Sequence, residues 1–186
     1  MNLRKVIFQM MVSIDGFFEG PNRELDWHRV DEEWNEYARD LLDNVDILVF
    51  GRVTYQLMAG YWPSAKEDDP TIANKMNGLQ KIVFSKTLGK AEWQNTRLVH
   101  ESIEDEILAI KQKPGKDIAI FGSSDLALTL IRQNLIDEFR IFVNPIILGN
   151  GKPLFRGIKE RLNLKLVSTR TFKSGVVGLI YQRTNP

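Results

Sequence analysis

Two apolar patterns alternate along the chain. Asp46 to Phe50 reads DILVF and Asp117 to Phe121 reads DIAIF. Such nearly continuous apolar runs predict strands covered on both faces of a sheet. Val6 to Val12 and Lys81 to Ser85 predict two further strands, and Leu98-Val99 a short one. Between them the apolar positions Trp34, Tyr37, Ala38, Leu41 and Leu42 recur at helical spacing. They predict an amphipathic helix from Asp31 to Leu42 with Asp31 placed to cap it. Gly51 breaks the second strand and opens a short helix, and Thr71 to Asn77 predicts another brief one. Ser102-Ile103-Glu104-Asp105 matches a capping box for a helix to about Lys111, stopped by Pro114-Gly115. Leu126, Ala127, Leu130 and Ile131 give the helix after Gly122 its apolar face.

After that helix the pattern changes. Ile136 to Leu148 predicts one long strand, and Pro145 inside it suggests a sheet edge or a bulge. Leu164 to Phe172 and Val176 to Tyr181 flank Ser174-Gly175 and predict a terminal antiparallel hairpin. Alternating strands and helices followed by a strand-only end imply an α/β fold: a three-layer sandwich with a mixed, mostly parallel sheet and a C-terminal antiparallel hairpin. No repeat, low-complexity tract or composition shift divides the chain, so residues 1–186 are read as one domain.

Composition narrows the partners. The 25 basic and 24 acidic residues nearly cancel and form no block of like charge, so the electrostatic footprint of a nucleic-acid binder is missing. A small molecule is the expected ligand. The absence of cysteine excludes disulfides, thiolate nucleophiles and zinc sites built on cysteine, and it suits a reducing cytoplasm. The apolar run near the N-terminus is too short to span a membrane and is cut by Ser13, Asp15 and Gly16. His28 and His100 have no metal-ligand spacing, so no metal is expected.

The candidate chemistry lies where strands meet helices. A strand that ends in glycine and opens directly into a helix exposes unpaired N–H groups that attract phosphate. Gly51-Arg52-Val53-Thr54 adds a guanidinium and a hydroxyl to such a turn, and Gly122-Ser123-Ser124 adds two hydroxyls to a second. Two turns suit the two ends of a pyrophosphate. Each glycine also has a plainer reading as a tight turn, with Ser124 a simple helix cap. Ser85-Lys86-Thr87, a cation beside hydroxyls after a strand, is suited to a further phosphate. The chain lacks a G-x-G-x-x-G fingerprint with a downstream acid, which argues against a Rossmann-type site.

Taken in order, SIDGFFEG, LDW, DILVFGRVTY, KIVFSKTL, DIAIFGSSDL, LIDEFRIFVNPIILGNGKPLF and FKSGVVGLIYQ resemble the dihydrofolate reductase-like superfamily. Within it they are most similar to the C-terminal reductase domain of bifunctional riboflavin-biosynthesis enzymes, here as a stand-alone member. The deaminase half of those enzymes carries H-x-E and P-C-x-x-C, and neither motif occurs here. The resemblance implies a cytoplasmic, homodimeric, NADPH-dependent reductase that passes hydride to a pteridine- or diaminouracil-type acceptor. It implies that Gly51, Arg52, Thr54, Gly122, Ser123 and Ser124 hold the NADPH pyrophosphate and that Ser85 and Lys86 hold the 2′-phosphate. Laid ungapped on the family's first strand and loop, Val12 falls where backbone groups hold the nicotinamide and Trp27 falls beside the substrate, while Asp15 either contacts the substrate or braces its turn, as aspartate commonly does. The same count puts Glu32, with Asp31 before it, at the catalytic acid of true dihydrofolate reductases. Either acid equally suits a helix start. Arg23, Arg29, Lys152 and Arg156 are the cations available for a phosphate on the substrate. Two alternatives stay open: a true dihydrofolate reductase, and a non-catalytic dimeric nucleotide-binding protein that keeps the fold.

Overall fold

The two buried apolar runs form neighbouring central strands, and the rest of the molecule is arranged around them. The computed structural model describes residues 4–65 and 69–184; positions 1–3, 66–68 and 185–186 of the expected domain lie outside the described residues. In chain order the elements are β1 (Val6–Ser13), β2 (Phe17–Glu19), α1 (Glu32–Asn44), β3 (Val45–Gly51), α2 (Arg52–Tyr61), α3 (Pro70–Gly78), β4 (Gln80–Phe84) and β5 (Thr96–Val99). They continue with α4 (Ile103–Lys111), β6 (Asp117–Phe121), α5 (Ser124–Arg132), β7 (Glu138–Asn144), β8 (Lys152–Pro153), β9 (Leu164–Thr171) and β10 (Val177–Arg183). The main sheet runs β5-β4-β3-β6-β1-β7-β10-β9. Pairing is parallel from β5 to β7 and antiparallel across β7, β10 and β9, so the sheet is mixed and mostly parallel, with the expected terminal hairpin.

Strand alternation divides the core in two. Phe8, Val49, Ile82 and Ile120 pack on one face under α4 and α5. Ile7, Met11, Leu48, Phe50 and Val83 pack on the other with Tyr37, Leu41 and Leu42 of α1, Tyr55 of α2 and Ile72 and Met76 of α3. Residues such as Leu48, Val49 and Phe50 are wholly buried. Each such side chain contributes about 1.5–3 kcal/mol through the removal of apolar surface from water. The helices therefore lie on both faces, which gives the three layers.

The long strand predicted over Ile136 to Leu148 is shorter and is not an edge. It ends at Asn144, before Pro145, whose ring nitrogen has no hydrogen to donate to a ladder. Inside those limits it pairs with β1 on one side and β10 on the other, and β5 and β9 are the edges. The ribbon of β2 and β8 has no counterpart in the sequence pattern. It pairs Phe17 with Pro153 and Glu19 with Lys152 across more than a hundred residues, and two such short segments carry too few positions for periodicity to show. The helix predicted over Thr71 to Asn77 begins at Pro70, with the Asp69 carboxylate accepting the Ile72 N–H at 2.9 Å. Buried Lys81 closes its far end by donating to the carbonyls of Met76, Asn77 and Leu79.

Candidate functional site

Because β3 and β6 are adjacent and parallel, both end at the same edge of the sheet, where Gly51 opens α2 and Gly122-Ser123 opens α5. Gly122 and Ser123 both take left-handed backbone, at φ of 60° and 51°. A β-carbon on Gly122 would lie 3.3 Å from the Thr54 side chain, so glycine is favoured there by its left-handed backbone and by a tight contact that a side chain would have to push aside. Ser123 is held in a conformation unfavourable for a side-chain-bearing residue by two bonds. Its N–H donates to Thr54 Oγ1 at 3.0 Å, and its Oγ accepts the Gly51 N–H at 3.0 Å.

That cross-linking leaves both helix starts open. Asp31, Asp69 and Ser102 cap α1, α3 and α4 through their side chains. Of the five helices among the described residues, α2 and α5 alone begin without a side-chain cap. Ser124 is the first residue of α5 rather than its cap; Ser123 occupies that position and gives its hydroxyl to Gly51. First-turn N–H groups of two neighbouring helices are thus unspent at one sheet edge, where the helix dipoles favour an anion.

Beside these turns a cavity of about 300 Å³ is lined by Gly51, Arg52, Ser85, Lys86, His100 and Asp125 among others. Parallel pairing of β3, β4 and β5 brings these separated segments together. Ser85 Oγ accepts the N–H groups of Thr87 and Leu88 at 3.1 and 2.9 Å and shapes the turn that carries Lys86. His100, set aside by the sequence reading, places Nδ1 2.6 Å from the Ser85 carbonyl oxygen. Its only sequence signal is its position directly after β5.

On the α1 face lies a second cavity, of about 390 Å³, with Gln9, Trp34, Asn35, Met58, Trp62 and Phe121 in its walls. Neither Gln9 nor Asn35 was anticipated. The available signals were a polar residue inside the apolar FQMM run and helical spacing from Trp34 to Ala38. Gln9 lies in β1 between Ile7 and Met11, whose side chains share the core on the α1 face. Its Oε1 accepts the Tyr37 hydroxyl at 2.7 Å, and the Tyr37 oxygen accepts Arg140 Nη1 at 3.1 Å. Arg140 Nε in turn donates to buried Glu138 at 2.7 Å. Burial pushes the Tyr37 phenol up to about 12, so it keeps the proton it donates. Asp69, also in the wall, spends its carboxylate on the start of α3 and on Arg39 at 2.5 Å.

Several expected roles change. Backbone groups of successive β1 residues face opposite neighbours. The Gln9 carbonyl accepts from Gly122, whereas Ile14 donates to Ile146 on the β7 side. Val12 therefore turns its N–H and C=O toward β7. Met11 turns its own toward β6, beyond the last β1–β6 pair at Gln9–Phe121. Of the two neighbours it is Met11, not Val12, whose backbone faces the end of β6, because one residue of register reverses the direction. Asp31 is not in the cavity wall: one carboxylate oxygen accepts the Trp34 N–H at 2.9 Å and the other the Ser174 N–H at 3.0 Å. Glu32 is exposed and ion-paired with Arg39. The acid role expected of these two residues is corrected on that geometry, since the start of α1 directs both outside the cavity.

Of the two roles open to Asp15, the structure shows bracing. Its oxygens accept the Leu148 and Gly149 N–H groups at 3.1 and 2.7 Å. The Ser13 hydroxyl, ahead of those amides, holds its carboxyl below the usual range. Trp27 donates to the Glu24 carbonyl at 3.0 Å and packs edge-on against His28, and it too lies outside the cavity wall. Of the four cations considered for a substrate phosphate, Lys152 and Arg156 pair with Asp125, Arg29 bonds the Ser174 carbonyl, and none of the four lines the cavity. Among the described residues no cluster of acids and histidines has the arrangement of a metal site, and no helix is long and apolar enough to cross a membrane.

A mixed sheet wrapped by helices, with two open helix starts at one edge, defines a dihydrofolate reductase-like α/β domain. More narrowly, the chain belongs to the RibD C-terminal domain family, whose model matches residues 4–178. It is 38% identical over 182 residues to YyaP of Bacillus subtilis (strain 168), covering 96% of this chain and 94% of that one. A diaminohydroxyphosphoribosylaminopyrimidine deaminase/5-amino-6-(5-phosphoribosylamino)uracil reductase of Thermotoga maritima superposes with a TM-score of 0.71 at 11% identity, covering 98% of this chain and 57% of that one. A dihydrofolate reductase of Enterococcus faecalis complexed with NADP(H) superposes with a TM-score of 0.66 at 18% identity, covering 97% of each chain.

Proposed function

We propose that the protein is an NADPH-dependent reductase that delivers hydride to a pteridine- or diaminouracil-type acceptor, working as a cytoplasmic homodimer. The observation that carries the reading is the pair of uncapped helix starts at Gly51 and Ser123, cross-bonded and next to a groove with two cations. These donors fit NADPH. First-turn N–H groups of α2 and α5 hold a pyrophosphate, Arg52 lies at its flank, and Ser85 and Lys86 supply a hydroxyl and an ammonium for the 2′-phosphate. Met11 offers backbone groups to the nicotinamide carboxamide. When bound, the cofactor supplies a hydride to an electrophilic acceptor carbon, with the accompanying proton drawn from solvent.

The chain's own contribution is alignment and exclusion of water. The cavity behind Gln9 and Phe121 adjoins the end of β6, so an acceptor held there lies along the same sheet edge as the cofactor groove. Trp34 and Trp62 give it aromatic walls suited to a planar ring. A homodimer follows from the family resemblance, and β9, an edge strand with Leu166 and Val167 about half exposed, is the surface that supports it.

The test is a titration with NADPH and NADH followed by nicotinamide fluorescence, then an acceptor screen for oxidation of bound NADPH. Saturable binding with NADPH preferred is the expected result. No binding of either nucleotide overturns the reading, and binding without turnover of any acceptor reassigns the protein to nucleotide binding alone.

A further inference from the structure

The relay behind Gln9 fixes which end of its side chain meets a ligand. Arg140 Nη1 donates to the Tyr37 oxygen at 3.1 Å, so the phenolic hydrogen is directed elsewhere, and it goes to Gln9 Oε1 at 2.7 Å. Arg140 is itself locked by Glu138 at 2.7 Å, and Tyr37 is packed between Trp34, Phe142 and Phe172. With the carbonyl end of Gln9 committed to Tyr37, the amide nitrogen and its two hydrogens are left for the cavity that Gln9 lines. Asn35 sits in the same wall, and its side-chain amide makes no hydrogen bond among the described residues.

We propose that Gln9 is the specificity-determining residue of this cavity and selects heteroaromatic acceptors that present a lactam carbonyl, rather than an amino group, to its N–H donors. The inference rests on the reductase reading for the word acceptor, but the selection itself is a property of the cavity. A ring with an amino group at that edge sets donor against donor, leaves both unpaired and loses the hydrogen bond, a penalty of about tenfold in affinity for an uncharged pair. Tyr37 and Arg140 are positioning residues; they act on the ligand through Gln9.

Isothermal titration calorimetry with the full chain tests this, using 2,4-dioxopteridine and 2,4-diaminopteridine as matched probes and NADPH as a separate ligand. The wild type is expected to bind the dioxo compound about tenfold more tightly than the diamino compound. Gln9→Glu keeps a partner for the Tyr37 hydroxyl but turns a carboxylate oxygen to the cavity, so it reverses the preference. Tyr37→Phe frees the Gln9 amide to rotate and brings the two affinities close together, with NADPH affinity unchanged. Gln9→Leu, which brings no charge into the cavity but leaves the Tyr37 hydroxyl without its acceptor, also removes the preference, and retained NADPH affinity shows that either variant is folded.

A wild type that binds both probes equally or binds neither overturns the inference. So does a preference that survives Gln9→Glu and Gln9→Leu, and this outcome leaves the reductase reading intact if NADPH still binds. Reversal of preference in a protein that does not bind NADPH has the opposite meaning: Gln9 keeps its role and the reductase reading falls.

Discussion

Ser123 Oγ accepts the backbone N–H of Gly51 at 3.0 Å, bonding the turn after β6 to the turn after β3. The serine gives up capping its own helix to do so, and two neighbouring helix starts remain open toward the same space. Ser123→Ala removes the bond and leaves a partly buried amide without its partner, which costs about 1 kcal/mol. NADPH affinity is expected to fall severalfold in a fluorescence titration. Ser123→Gly suits the left-handed backbone but also lacks the hydroxyl, so recovery of stability without recovery of affinity separates the two effects.

Lys86, in the turn after β4, and Arg52, at the start of α2, line one groove. Lys86→Ala is expected to weaken NADPH about tenfold while NADH changes little, because a 2′-phosphate is the group that needs a further cation. An equal loss for both nucleotides removes Lys86 from that role. Arg52→Ala, nearer the pyrophosphate turn, weakens both.

The two acids at the start of α1 separate by stability. Asp31 serves Trp34 and Ser174 at once and ties the helix to the terminal hairpin, so Asp31→Ala lowers Tm by a few degrees. The Trp34 N–H, with Ser174 after it, keeps the Asp31 carboxyl below its usual range. A depressed carboxyl adds stability above its unfolded value and loses it as pH falls through the folded one, so the gap between variant and wild type closes in acid. Glu32→Gln leaves Tm and turnover nearly unchanged. A large loss of turnover in Glu32→Gln restores the acid role withdrawn above.

His28 is mostly buried against Trp27 with Nε2 unpartnered, and burial pushes its imidazole down from 6.5 to about 4. The folded state therefore holds the neutral ring while the unfolded chain takes up a proton first. Stability from this residue is complete above about 6.5 and is progressively lost as pH falls from there to about 4. Tm measured across that range is expected to fall less steeply in His28→Gln than in the wild type, and parallel curves contradict the assignment.

Much of the architecture was legible because it depends on short-range pattern. DILVF and DIAIF announce strands buried on both faces, and each is followed by the glycine that ends it. Asp31 and Ser102 announce helix starts by side-chain chemistry that acts within three residues. The two glycine turns were legible for the same reason: a strand, a glycine and a helix are consecutive in the chain.

The rest depends on distances that sequence does not record. Register decided that Met11 and not Val12 turns its backbone toward β6, since a shift of one residue along a strand reverses direction. Counting forward from a motif placed Glu32 at the acid position, but the helix start sets Glu32 in solvent against Arg39 and puts Trp34 and Asn35 in the cavity wall. Tyr37 and Gln9 are 28 residues apart, and Tyr37 and Arg140 are 103 apart. By itself the sequence determined which segments are strands and helices and where a strand hands over through glycine directly to a helix. Only the tertiary structure decided which side chains line the cavities, because strand pairing and helix rotation bring distant polar groups within hydrogen-bonding range.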